Sequence, residues 1–139
     1  MLGLLNWDQR VNLPDNAAVI RGEQISFLHG LWHKKTTAKQ FVKLVDELIE
    51  PTCLKQLSAD EQVVIRELHR DLAKIKKLPA AFIKQMSKVE SEAFGAWQKA
   101  KKGNNFKTFL PHLKKIVALK QKQANYYGFT ASPYDSLLA

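Results

Sequence analysis

The stretch SADEQVVIRELHRDLAKI, residues 58–75, decides the fold class of this chain. It opens with a capping box, in which Ser58 caps a helix and Glu61, three residues on, reaches back to the cap. The only segment with strand-like alternation, residues 60–65, lies inside this helix and is better explained by its cap. Apolar residues then recur at helical spacing along one stripe: Val64, Leu68, Leu72 and Ile75. The stretch therefore predicts an amphipathic α-helix.

The segments on both sides show the same helical periodicity, and prolines or small polar residues separate them. Predicted starts are near Asp15, at Thr36 or Thr37, at Ser58, after Pro79 and at Pro111. Predicted ends are near Lys35, before Pro51, before Pro79, near Lys102 and at Gly128. In the first helix the apolar positions expected to face the core are Ile20, Phe27, Leu28, Leu31 and Trp32. The prediction is an all-α fold, an antiparallel array of about five helices with short loops, forming a single helical domain over residues 1–139.

Length and composition are those of one ordinary intracellular domain. A chain of 139 residues can bury a sizeable core without disulfides. Its single cysteine, Cys53, excludes an internal disulfide, which fits a reducing compartment. The N-terminal apolar stretch is too short for a signal peptide, and no apolar run approaches the roughly 20 residues of a membrane span. We expect a cytoplasmic protein with no membrane partner.

The net charge of +9 would favour anionic partners such as nucleic acid. One helix carries a basic stripe, which consists of Arg66, Arg70, Lys74 and Lys77. This stripe could follow a row of phosphates. Because Glu67 and Asp71 lie between the basic residues, a solvated helix face is the favoured interpretation.

Residues 29–33, HGLWH, place two histidines four apart, the spacing by which helical zinc peptidases hold their metal. In the H-E-x-x-H motif a glutamate follows the first histidine and acts as general base. Gly30 occupies that position, so the catalytic version of the site is excluded. A structural zinc site would need two more ligands, and the scattered candidates are Cys53, His69 and His112. We therefore predict no catalytic residue and no metal ligand in this chain, and interpret both histidines as surface or half-buried helix residues.

A polar cluster surrounds one aromatic near the N-terminus, just before a proline. Its residues Trp7, Asp8 and Gln9 could line a binding cleft. The simpler interpretation is a helix end with a buried tryptophan and its capping partners, and composition alone favours it. These three residues are our candidates for lining a groove, with no role assigned to each.

Several blocks of the sequence occur in a familiar order and spacing. They are residues 4–9 with Leu13-Pro14, then Arg21, Gln24, Leu28 and His33, residues 58–61 and 64–68, Ser91-Glu92-Ala93 with Trp97, Pro111-His112-Leu113, and residues 133–138. Together they resemble the N-terminal helical region of the thermostable zinc metallocarboxypeptidases of the carboxypeptidase Taq type. The resemblance extends over nearly the whole chain.

The resemblance implies an almost wholly helical enzyme with a deep groove between two helical walls, commonly a homodimer. Such enzymes release single residues from peptide C-termini, with zinc held by an H-E-x-x-H helix and a downstream glutamate. This chain lacks that motif, begins a few residues before Trp7 and is basic where the family tends to be acidic. We therefore expect a truncated fragment, inactive alone and without a cofactor, whose partner is a second copy or the missing catalytic region. The alternative is an independent basic helical module that binds an acidic protein or, less favoured, nucleic acid.

Overall fold

The computed structural model describes residues 1–138, except for the side chain of Asp15, and its regular structure in that range is entirely helical. The helices are α1 (Leu2–Val11), α2 (Ala18–Thr36), α3 (Lys39–Leu48), α4 (Pro51–Leu54), α5 (Ala59–Ile75), α6 (Ala80–Lys102), α7 (Phe106–Tyr127) and α8 (Asp135–Leu138), with a 3-10 turn at Asp15–Ala17 before α2. The predicted all-α class is confirmed. The five predicted helices correspond to α2, α3, α5, α6 and α7, while α1, α4 and α8 were not predicted. Within the described range, no helix is both long and apolar enough to cross a membrane.

Helix α1 went unpredicted because polar contacts, and no buried apolar residue, hold it in place. The guanidinium of Arg21 on α2 lies 2.6 Å from the carboxylate of Asp8. The same guanidinium donates a hydrogen bond to the backbone carbonyl of Leu5, at 3.0 Å. A search for apolar periodicity cannot detect a helix that is attached in this way.

The start predicted for the last long helix is wrong by five residues. Helix α7 begins at Phe106, and Pro111 lies inside it rather than in its first turn. Proline there removes one backbone hydrogen bond near the helix start, a loss that the other turns of this 22-residue helix tolerate. The preceding turn closes at Asn104, whose φ of 46° lies in the left-handed region that asparagine adopts more readily than most residues.

The core lies where α6 packs against α2 on one side and α7 on the other. A cluster of buried apolar side chains from α6, the turn before it and α7 forms its largest part: Leu78, Phe82, Met86 and Leu119. The ring of Phe82 meets that of Tyr126 edge to face, with centroids 5.2 Å apart. Such pairs stabilise a core beyond the area that they bury.

The face of α2 that packs against α6 is not the predicted one. Ile20, Phe27, Leu31 and Trp32 are exposed, and the buried residues are Gly22, Ile25, Gly30 and His33. A Cβ added at Gly22 would lie 3.4 Å from the Ser91 hydroxyl oxygen, and one at Gly30 would lie 2.3 Å from Cε of Lys84. The prediction failed because α2 is apolar on more than one side, and the side with small residues permits the closer helix contact.

Two phenylalanines offer a matched test of this arrangement, since Phe82 is 3% exposed and Phe27 is 65% exposed. We expect Phe82→Ala to lower the free energy of unfolding by about 3–5 kcal/mol, because it empties a packed core position. Phe27→Ala should change it by no more than about 0.5 kcal/mol. Urea unfolding followed by circular dichroism measures both values. Equal losses would contradict the assignment of the two α2 faces.

The predicted capping box at the start of α5 is present. The Glu61 carboxylate accepts hydrogen bonds from the Ser58 backbone N–H and hydroxyl, both at 2.8 Å. The Glu61 N–H in turn donates to the Ser58 hydroxyl oxygen. The backbone N–H of Ser58, and then its hydroxyl, lower the pKa of Glu61 below its ordinary value of 4.5.

A lowered carboxyl pKa makes the stability of α5 depend on pH with a defined sign. The charged carboxylate stabilises the fold above the unfolded pKa, and this contribution disappears as the pH falls through the folded pKa. We therefore expect Glu61→Gln to be less stable than the wild type at pH 7, with the difference vanishing below pH 4.5. Thermal unfolding across this pH range measures it. A difference of the same size and pH dependence for Glu92→Gln, on the exposed side of α6, would contradict the assignment to the cap.

Candidate functional site

The largest cleft in the described part of the chain lies between α1, α2 and α6. Its volume is about 500 Å³. Helix α1 contributes Trp7 and Gln9, α2 contributes His29, and α6 contributes Ser87 and Glu90. All three elements are long enough to be rigid, so the cleft has a fixed shape.

Two polar contacts on opposite sides of α1 set the position of the cleft wall. Gln9 donates from Nε2 to the hydroxyl oxygen of Ser91, at 2.8 Å, which ties α1 to α6. Asp8, one residue earlier, faces Arg21 on α2 instead. Of the three residues predicted to line a groove, Trp7 and Gln9 border the cleft and Asp8 does not. Their part in binding a ligand stays a prediction.

The floor of the cleft is polar and deeply buried. Ser87 and Ser91 are 7% and 8% exposed. Ser91 accepts the hydrogen bond from Gln9, whereas the hydroxyl of Ser87 has no hydrogen-bond partner among the described residues. Burying a polar group without a partner destabilises a fold, so an orphan hydroxyl in a cleft calls for an explanation.

His29 faces the same cleft and is held mostly neutral. Burial lowers its pKa below the ordinary value of 6.5, and the nearby carboxylate of Glu90 opposes that shift. A neutral imidazole carries one donor and one acceptor nitrogen. Near pH 7 the cleft therefore offers His29 as an uncharged hydrogen-bonding group.

The two histidines of residues 29–33 differ in environment. His29 is half-buried, as expected, but His33 is more buried than predicted, and its Nε2 has no partner in the described range. Gly30 between them lies against Lys84. No group of three or more histidine, cysteine or acidic residues among those described could hold a metal ion. The described residues therefore do not fit a zinc site, and no chemical step through zinc can be derived from them.

Each member of the basic stripe contacts another part of the same chain. Arg66 donates to the side-chain oxygen of Gln62 at 3.3 Å, and Arg70 pairs with Glu67. Lys77 donates to the backbone carbonyl of Tyr127 at 2.7 Å, and the Lys74 ammonium lies 5.9 Å from the centroid of the Tyr127 ring. The two lysines thus stabilise the end of α7, where helix carbonyls lack intrahelical partners. A role of the stripe in binding nucleic acid stays a prediction.

Sequence reasoning missed the α6 side of the cleft. A signal was present, because Ser87 and Ser91 are four residues apart and so share one helix face. On that face they interrupt the apolar residues Met86 and Ala93, both buried. Small polar residues within a buried helix stripe indicate either close helix packing or a lined cavity, and here they serve both.

Comparison with known proteins places the chain in a family. The model of a family described as "Carboxypeptidase Taq (M32) metallopeptidase" matches residues 1–139. The chain is 33% identical over 135 residues to thermostable carboxypeptidase 1 of Pyrococcus furiosus, which covers 97% of this chain and 26% of that protein. It is 29% identical over 137 residues to carboxypeptidase 1 of Bacillus subtilis, covering 99% and 27% respectively.

Solved structures give the same result. The crystal structure of BsuCP superposes with a TM-score of 0.89 at 29% identity, over 99% of this chain and 27% of that one. The structure of the Pyrococcus furiosus carboxypeptidase superposes with a TM-score of 0.68 at 32% identity, again over 99% and 27%. The chain therefore spans about a quarter of the length of the relatives that it matches.

The environment of His29 generates a direct prediction. Glu90→Gln removes the carboxylate that raises the pKa of His29, so we expect that pKa to fall further below 6.5. Because protonation of His29 is disfavoured in the fold, its contribution to stability should decline as the pH drops below 6.5. Titration of the imidazole by NMR measures the pKa. Glu47→Gln, on α3 beside Lys43, is the control and should leave it unchanged; an unmoved pKa in Glu90→Gln would contradict the assignment.

Proposed function

The chain belongs to the carboxypeptidase Taq (M32) metallopeptidase family, and we propose that it forms one helical wall of a zinc-dependent carboxypeptidase and is inactive on its own. The observation that carries the proposal is the match of the whole chain to about a quarter of its relatives. The superposition on BsuCP, with a TM-score of 0.89, supports the same wall-forming role. The relatives are named carboxypeptidases, so the substrate of the complete enzyme is a peptide and its reaction is release of the C-terminal residue.

Inactivity of the isolated chain rests on the chemistry of its side chains. Hydrolysis of a peptide by a metallopeptidase requires a metal that activates water and a carboxylate that acts as general base. The described residues do not gather three metal ligands, and Gly30 stands where a base would follow His29. The zinc and the catalytic glutamate then have to come from a different part of the enzyme.

The exposed face of α2 supports a partner that packs against this chain. This face, defined by Ile20, Phe27 and Leu31, is apolar and lies opposite the glycines that contact α6. Contiguous apolar residues on a surface mark an interaction site more often than chance. The partner is the rest of the carboxypeptidase or a second copy of the chain.

Residues near the cleft would take part through position and contact. Trp7 and Gln9 line the groove side of the wall, and Asp8 fixes α1 against α2 through Arg21. Loss of the Asp8–Arg21 pair would move Trp7 and Gln9 together, because all three lie within one turn of the same helix.

A chimera tests the proposal. The segment of Bacillus subtilis carboxypeptidase 1 that aligns with this chain is replaced by residues 1–139, and release of C-terminal residues from a peptide is measured with zinc present. We expect the chimera to be active, because the two segments share a backbone, and we expect the isolated chain to release nothing above background.

Two controls make the outcome decisive. The Bacillus protein without any replacement segment should be inactive, and the chimera carrying Phe82→Ala should lose activity together with its fold. A chimera that is folded by circular dichroism yet inactive would overturn the wall role. Release of residues by the isolated chain would overturn its inactivity.

A further inference from the structure

We propose that the cleft between α1, α2 and α6 binds the uncharged amide group of a peptide, recognised by hydrogen bonds from its serine floor. This inference goes beyond the proposed carboxypeptidase role, because it concerns binding by the isolated chain. The carrying observation is the hydroxyl of Ser87, which is 93% buried, borders the cleft and has no partner in the described part of the protein.

The floor both donates and accepts hydrogen bonds. The Ser87 hydroxyl can do either, since nothing described engages it. Ser91 uses its oxygen to accept from Gln9, which leaves its own proton free to donate and the Gln9 amide oxygen free to accept. A peptide amide, with its N–H donor and its carbonyl acceptor, complements this set.

The charges around the cleft are already paired. The Arg10 guanidinium lies 5.9 Å from the centroid of the Phe94 ring, and the Glu90 carboxylate is 3.5 Å from the ammonium of Lys120. The deep groups, Ser87 and His29, are uncharged near neutral pH, as the lowered pKa of His29 indicates. A charged ligand group would lose its hydration on this floor without meeting a counter-charge, which is unfavourable. The cleft therefore selects against free carboxylates and ammonium groups.

Apolar walls flank the polar floor. They are formed by Ile25 on α2, Trp7 on α1 and Phe94 on α6. The volume of about 500 Å³ falls within the range of small-ligand sites. It accommodates one amide group and an attached aromatic side chain.

The variants that test the inference separate binding from stability. Ser87→Ala removes the orphan hydroxyl, and Ser26→Ala is its control, because the Ser26 hydroxyl already donates to the Lys84 carbonyl outside the cleft. Gly3 borders the cleft with open space around its Cβ direction, so Gly3→Leu should fill the cleft. Gly95→Leu is the control, since Gly95 has the same open space but lines a different, smaller cleft.

The probe is N-acetylphenylalanine amide, which has an aromatic side chain, two amide groups and no charge. Free phenylalanine, a zwitterion of similar size, is the comparison ligand. Binding is followed by amide chemical shifts in NMR titrations of the full 139-residue chain, and stability by thermal unfolding.

We expect the blocked amide to shift the resonances of cleft residues and to bind tighter than free phenylalanine. Ser87→Ala should weaken binding by about two- to tenfold, the usual effect of one hydrogen bond, without lowering the melting temperature. Gly3→Leu should abolish binding, and Ser26→Ala and Gly95→Leu should preserve it.

Three results would each overturn the inference: no shifts in the cleft, an unchanged affinity in Ser87→Ala, or tighter binding of free phenylalanine. Loss of thermal stability in Ser87→Ala would also overturn it, because the hydroxyl would then serve the fold. The chimera is scored by hydrolysis and this experiment by binding to the chain alone, so failure of one leaves the other standing.

Discussion

The close contact between α2 and α6 is the constraint on which the rest of this structure depends. It requires small residues where the helices cross, and Gly22 and Gly30 supply them. The closeness of the contact at Gly22 brings α2 up to Ser91, the residue that also receives Gln9 from α1. A larger side chain at Gly22 would separate the helices and remove the surface on which α1 rests. The cleft is thus a product of the helix crossing.

Polar contacts and apolar packing divide the work between the two sides of α6. Toward α7, Phe82 and its neighbours form an ordinary apolar core. Toward α1, the contacts are a hydrogen bond and an ion pair, with uncharged serines beneath them. Directional contacts hold side chains in defined orientations, which a binding site needs and a core does not. The division explains why the cleft lies on the α1 side.

The sequence predicts the fold class and most of the long helices, because capping boxes, prolines and apolar periodicity are local signals. The residues of Ser58 and Glu61 form the cap that their spacing indicates. Local signals fail at α2, where two apolar faces compete and only the partner helix decides between them. They fail equally at α1, whose attachment depends on Arg21, and at the cleft, where Gln9 meets Ser91 across 82 residues of chain. Trp7 and Gln9 could be nominated from clustering, but their neighbours on α6 could not.

The two apolar faces of α2 also bear on how the chain behaves in a crowded solution. With Ile20 and Phe27 open to solvent, two copies that collide can adhere through surfaces that have no fixed register. A net charge of +9 gives such copies a mutual repulsion that acts before they touch. Added salt shortens the reach of that repulsion and leaves the apolar attraction in place. The lysine surplus thus acts as a colloidal stabiliser, and the solubility of the chain becomes a function of ionic strength.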